Sequence, residues 1–195
     1  PGTRLDQRQL AKTLQTTTAP LREVLSALES EGLLLREQGI GVFCRVFTVL
    51  EIEEMVQIRG VLESLAAGRA AERITDEEVE GLGEIARQLA IPFPKSGEKE
   101  FLHTHVEFHQ KILTIANSPR LKTLLRFHQF IDQLLLNCAS PMWYVEAHDH
   151  MGVVNAIASR DVKKAETVMR EHIAPTYTKR FDALRKRFGE GPILP

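Results

Sequence analysis

The stretch Glu98–Pro119, EKEFLHTHVEFHQKILTIANSP, decides how the chain is read. It reads as a helix from about Glu98 to Ala116, ended by Asn117-Ser118-Pro119, and it carries His105 and His109. Four residues apart, these two project from one helix face. His150 and His172 lie on two further expected helices. Imidazoles arriving on three helices are what a metal site built inside a helical bundle requires. His103 is two residues from His105 and points to a different face. With His128 and His148 it reads as a surface or outer residue, and Glu107 faces away from the pair.

Working outward, Ile91-Pro-Phe-Pro-Lys-Ser-Gly97 is the clearest break, because two prolines prevent a helix from continuing. Before it, Thr75 or Asp76 starts a helix whose Val79, Leu82, Ile85, Ala86 and Leu89 face inward. Before that, Thr48 caps toward Glu51 at capping-box spacing. Ile52, Met55, Val56, Val61, Leu62 and Leu65 then follow helical periodicity to about Ala71. After the histidine helix, Leu121, Leu124, Leu125, Phe127, Ile131, Leu134 and Leu135 mark another. A further helix runs from about Met142 to Ala158, and Asp161 caps a long last one reaching roughly Arg187. Six helices with short connections and no strand pattern among them read as an antiparallel bundle over residues 48–190.

Residues 1–46 have a different grammar. Asp6 followed by Gln9 has capping-box spacing, and Leu5, Leu10 and Leu14 give a partial apolar face. Thr16-Thr17-Thr18 is a poor helix interior and a good turn and N-cap. Pro20 suits the first turn of a second helix, with Leu21, Val24, Leu25 and Leu28 as its stripe and Gly32 as its C-terminal stop. Leu33-Leu34-Leu35 and Val42-Phe43-Cys44 pair as strands around Gly39-Ile40-Gly41. The expected fold class is therefore mainly α, in two domains with a boundary near Phe47.

Bulk composition narrows the function. The 195 residues hold 43% hydrophobic and 26% charged positions, the ordinary range for a globular chain. Net charge is -1, so no strongly basic footprint is present. Residues 1–46 carry six basic side chains (Arg4, Arg8, Lys12, Arg22, Arg36, Arg45) against five acidic (Asp6, Glu23, Glu29, Glu31, Glu37), a net of +1. Two distant cysteines, Cys44 and Cys138, fit free thiols in a reducing cytoplasm. No apolar run approaches the roughly 20 residues that span a bilayer. The chain starts on Pro1 rather than Met, so some N-terminal sequence is expected to be missing.

Several distant motifs, in order, resemble one family. Pro1-Gly2-Thr3-Arg4-Leu5-Asp6 with Gln9-Leu10-Ala11 is similar to the start of the DNA-binding domain of GntR regulators. Ala19-Pro20-Leu21-Arg22-Glu23-Val24-Leu25 and Leu28-Glu29-Ser30-Glu31-Gly32-Leu33-Leu34 resemble its recognition helix and the run into its wing. Arg59-Gly60-Val61-Leu62-Glu63 with Ala66-Ala67 resembles the opening of the FadR-type effector domain called FCD. Phe108-His109, Asn117 to Leu121, His150 through Asp161, and Glu171-His172 match the remaining landmarks. The resemblance implies a winged helix-turn-helix, truncated at its start, ahead of the bundle. The family's usual metal site is an aspartate with three histidines; His105 stands where the aspartate would be. Thr17 and Thr18 stand where the family often has serine then arginine.

The resemblance implies a ligand-responsive transcriptional regulator, expected to be a homodimeric repressor in the cytoplasm with double-stranded operator DNA as partner. It places a divalent metal, zinc or nickel foremost, on His105, His109, His150 and His172. The sensed effector is expected to be a small carboxylate. Arg59 either clamps that carboxylate with its planar fork or pairs with Glu63 one turn along. The residues expected at DNA are Arg8, Thr17, Thr18 and Arg22, with Gly39 and Gly41 in the wing. Polar ligands filling the bundle core argue against the family's acyl-CoA-responsive branch. A metal-dependent enzyme is the alternative of a different class. No nucleophile elbow, P-loop or HExxH motif supports it.

Overall fold

The computed structural model describes residues 2–90, 98–125 and 149–193. The N-terminal unit opens with α1 (Gln7–Thr13), whose N-cap Asp6 accepts from the Arg8 and Gln9 N–H groups. Helix α2 (Thr18–Ser30) follows, with Pro20 in its first turn. Thr17 occupies the N-cap position, yet its hydroxyl makes no capping bond. Gly32, at φ 77, ends α2 in a Schellman arrangement. The Leu33 N–H reaches the Leu28 carbonyl at 2.9 Å and the Gly32 N–H the Glu29 carbonyl at 3.0 Å.

Strands β1 (Leu34–Glu37) and β2 (Gly41–Cys44) form the hairpin, with Leu34 opposite Cys44 and Glu37 opposite Gly41. The sequence places the first strand one residue too early. It also misses a third lane: Leu5 N–H bonds to Val42 O at 2.8 Å and Cys44 N–H to Thr3 O at 2.9 Å, laying residues 2–5 along β2. A small core of Ala11, Leu21, Leu25, Leu34 and Val42 holds these pieces together. Leu14 and Val24, expected on apolar faces, are exposed. Leu14 caps the end of α1, and Val24 lies on the outward side of α2.

The larger unit comprises α3 (Val49–Ala71), α4 (Asp76–Gln88), α5 (Glu98–Ile115), α6 (His150–Ala158) and α7 (Val162–Phe188), with a further helical segment at 119–125. Thr48 and Thr75 each close a full capping box, with Glu51 and Glu78 respectively. Of the helix expected from about Met142 to Ala158, positions 142–148 lie outside the described residues, and α6 begins at His150. Asp149 is its N-cap, accepting from the Gly152 N–H at 2.7 Å. Asp161 caps α7 as its sequence position suggests. The core runs from Val49, Ile52 and Val56 through Leu82, Phe108 and Ile112 to Ile157 and Met169. Val61, Leu65 and Leu124, expected to pack inward, are exposed. The 91–97 break and the helix positions Phe127 to Leu135 lie outside the described residues, as does Cys138.

Residues 45–49 run from the hairpin into α3. The Ile193 N–H donates to the Phe47 carbonyl at 2.8 Å, and Thr48 bridges Pro192, so the segment after α7 returns to the junction. Arg45 stacks over the Phe47 ring at 5.2 Å and reaches both the Gly32 carbonyl and Glu51. Among the described residues no helix is long and apolar enough to cross a membrane.

Candidate metal centre and reading surface

Three helices bring four histidines together. His105 and His109 stand one turn apart on α5, His150 is the first residue of α6, and His172 lies on α7. His105, His109 and His150 are buried and His172 is partly so. Each offers one ring nitrogen such that all four atoms lie within 4.8 Å of one another. Neighbouring rings approach edge-on, 4.8 Å between the centroids of His105 and His109 and 4.7 Å between His150 and His172. Phe108, fully buried beside His109, packs its ring edge-on to His150 at 4.9 Å.

The donor set fits a transition metal. Nitrogen ligands at about 2.0–2.1 Å in a tetrahedron stand roughly 3.4 Å apart, so small side-chain rotations close the cluster. Aromatic packing alone does not explain four imidazoles converging in an apolar core. Burial pushes the His105 imidazole well below its usual range, and His109, His150, Arg59 and His172 add to the effect. It is therefore held neutral, the form that ligates metal.

Helix α3 supplies the rest of the site. Arg59 Nε donates to Glu63 Oε1 at 2.6 Å, and Glu63 Oε2 contacts His109 Nδ1. Arg59 and Glu63 are each only 5% exposed. Burial pushes the Glu63 carboxyl up, but Arg59 and His109 together outweigh it and hold the group below the usual carboxylate range. Of the two sequence readings for Arg59, the ion pair with Glu63 is present, and it sits beside the histidines. The sequence reading missed Glu63 as part of the site; its only signal there was its spacing from Arg59.

His103 and Glu107 are exposed, away from the cluster, while His128 and His148 lie outside the described residues. Around α1 and α2, Arg8, Thr17, Thr18 and Arg22 are all solvent-exposed. Near them, Glu29 on α2 binds Arg36 on β1 at 2.8 Å. Gly39, at φ 77, forms the hairpin tip, and Gly41, at φ 150, lies under Arg4. A Cβ on Gly41 would meet only the flexible end of the Arg4 side chain, 2.9 Å from its Nε, so it is the positive φ that favours glycine there.

Comparison with known proteins gives a consistent picture. A family model described as "FCD domain" matches residues 54–175, and one described as "Bacterial regulatory proteins, gntR family" matches residues 1–44. The Nta operon transcriptional regulator of Aminobacter aminovorans is 26% identical, covering 95% of this chain and 88% of its own. The HTH-type transcriptional repressor RspR of Escherichia coli is 23% identical over 89% of this chain and 77% of its own. Among solved structures, E. coli McbR/YncC superposes with a TM-score of 0.76 at 20% identity, over 96% of this chain and 89% of that one.

Proposed function

The chain belongs to the GntR family of bacterial regulatory proteins, with an FCD domain behind its DNA reader, and we propose that it is a repressor whose grip on DNA depends on a small organic acid. The observation that carries this reading is the four-histidine cluster in the bundle core, on the same chain as an exposed winged helix. We read the chain as two units, residues 1–46 and 48–190.

In the first unit, α2 lies in the major groove, with Arg22 reaching a guanine edge or phosphate and Thr17 and Thr18 contacting phosphates near the helix N-terminus. Arg8 adds a backbone contact, and the wing at Gly39 and Gly41 approaches the minor groove. A homodimer matches its two-fold axis to paired half-sites. This places the protein in the cytoplasm, with the DNA.

In the second unit, His105, His109, His150 and His172 hold a divalent ion, zinc or nickel. An ion that takes more than four ligands would supply positive charge there and keep coordination positions, beyond the four imidazoles, for a carboxylate. Arg59, beside the histidines, adds hydrogen-bond donors for the same anion. The buried charged and imidazole groups suit a small polar effector rather than an acyl chain. Coupling of about 1–3 kcal/mol, roughly 5–150-fold in DNA affinity, is the range such effectors produce.

The test is a thermal-shift screen of small carboxylates on zinc- and nickel-loaded protein, repeated on metal-free protein and on Arg59→Ala. The expected hit stabilises the loaded wild type and loses most of its effect in the other two. An acid that stabilises all three equally would contradict the reading.

A further inference from the structure

A buried glutamate stands behind one of the four histidines. Glu63 faces two ways. One carboxylate oxygen accepts from Arg59 Nε, and the other meets His109 Nδ1. An ordinary i,i+4 ion pair sits on a solvated face and is held loosely. This one is almost fully buried, and it is packed against a histidine from a different helix, 46 positions along the chain. Burying a carboxylate is costly unless every oxygen is matched by a donor. Arg59 donates to one oxygen, and the other stands in close contact with His109 Nδ1.

We infer that Glu63 is the positioning residue of the metal centre, fixing His109 in the Nδ1–H tautomer so that Nε2 is the ligand atom. The inference rests on the metal reading and deepens it. A neutral imidazole carries one N–H and one lone pair, so whichever nitrogen donates outward determines which one faces the metal. A carboxylate on Nδ1 also raises the basicity of Nε2. Glu63 thereby brings negative charge to a ligand set that has none of its own. Arg59 serves as the anchor that keeps this carboxylate ionised and aimed.

The experiment reads metal affinity and tautomer separately. Metal affinity is measured by Co²⁺ titration with its absorption spectrum and by Zn²⁺ competition against a chromophoric chelator. The tautomer is read by long-range ¹H–¹⁵N correlation of the imidazoles in metal-free protein above neutral pH. Wild type is expected to show His109 protonated on Nδ1. Glu63→Gln keeps an acceptor but not the charge, and should bind about tenfold more weakly; Glu63→Ala should lose about 10–100-fold and show mixed tautomers. Arg59→Gln/Glu63→Gln leaves no buried unpaired charge and should bind as Glu63→Gln does, which preserves the test if Glu63→Ala does not fold. Metal affinities within twofold of wild type in all folded variants, or His109 protonated on Nε2 in wild type, would overturn the inference alone. Wild type that binds no metal would overturn the metal reading and this inference with it.

Discussion

Arg45 Nη2 donates to Glu51 Oε1 at 2.5 Å, tying the residue after the wing to the capping box that starts α3. Glu51 has both oxygens engaged, since its Oε2 accepts from the Thr48 N–H at 2.8 Å. The pair is about one-third exposed, so its own worth is on the order of 0.5 kcal/mol. Arg45→Ala also removes the stack on Phe47 and is expected to cost about 1 kcal/mol in all. Thr48→Ala, which deletes the cap, should cost about 1 kcal/mol as well. Urea unfolding of both single variants and the double would check this. The two effects should fall short of additivity, because the residues share Glu51.

The Arg59–Glu63 pair calls for a larger figure. Removing one member of a buried pair strands the other's charge, a loss of about 3–5 kcal/mol. Arg59→Met is therefore expected to destabilise far more than Arg45→Ala, measured by the same unfolding curves. Arg59→Met/Glu63→Met should recover part of the loss, because it strands no charge. A single variant as stable as wild type would show that the pair is not buried as described.

Protonation of His105 sets a pH dependence in metal-free protein. Its folded-state pKa is depressed by burial and by the neighbouring histidines and Arg59. The unfolded chain therefore takes up a proton near pH 6.5 that the folded chain refuses. Stability should hold above about pH 7.5 and fall as pH drops below about 6.5, with a slope approaching 1.4 kcal/mol per pH unit from His105. His105→Gln should flatten that slope, as thermal melts of chelator-treated protein between pH 8 and 5.5 would reveal. The slope alone distinguishes the protonation effect from general loss of packing.

At the reading surface, Arg22→Ala is expected to weaken operator binding by about tenfold. If the side chain meets a phosphate, the loss should be the same for specific and unrelated DNA, and the salt dependence should shrink by about one ion. If it meets a base, discrimination should fall instead. Fluorescence anisotropy at several salt concentrations separates the two outcomes. Unchanged affinity for all DNA would remove Arg22 from the interface.

Most of the fold was legible because its signals are local. Thr48 with Glu51 and Thr75 with Glu78 announce helix starts through bonds spanning three residues, and Gly32 announces an end through its backbone preference. His105 and His109 were legible for the same reason, as helical spacing alone puts them on one face. Glu63 was not, because its bond to His109 is tertiary and its spacing from Arg59 suits a surface pair equally well. Leu14, Val24, Val61, Leu65 and Leu124 show the matching limit. Periodicity registers an apolar position without saying whether a neighbouring element covers it. The strand-like run at residues 2–5 is too short to show alternation, and only β2 makes it pair.

The central claim is that His105, His109, His150 and His172 hold a metal, and elemental analysis by mass spectrometry tests it most directly. Protein incubated with Zn²⁺ or Ni²⁺ at neutral pH and then desalted is expected to retain about one ion per chain. His109→Ala and His150→Ala should retain almost none while keeping the helical circular dichroism of wild type. Wild type that retains no more metal than these two variants would contradict the claim.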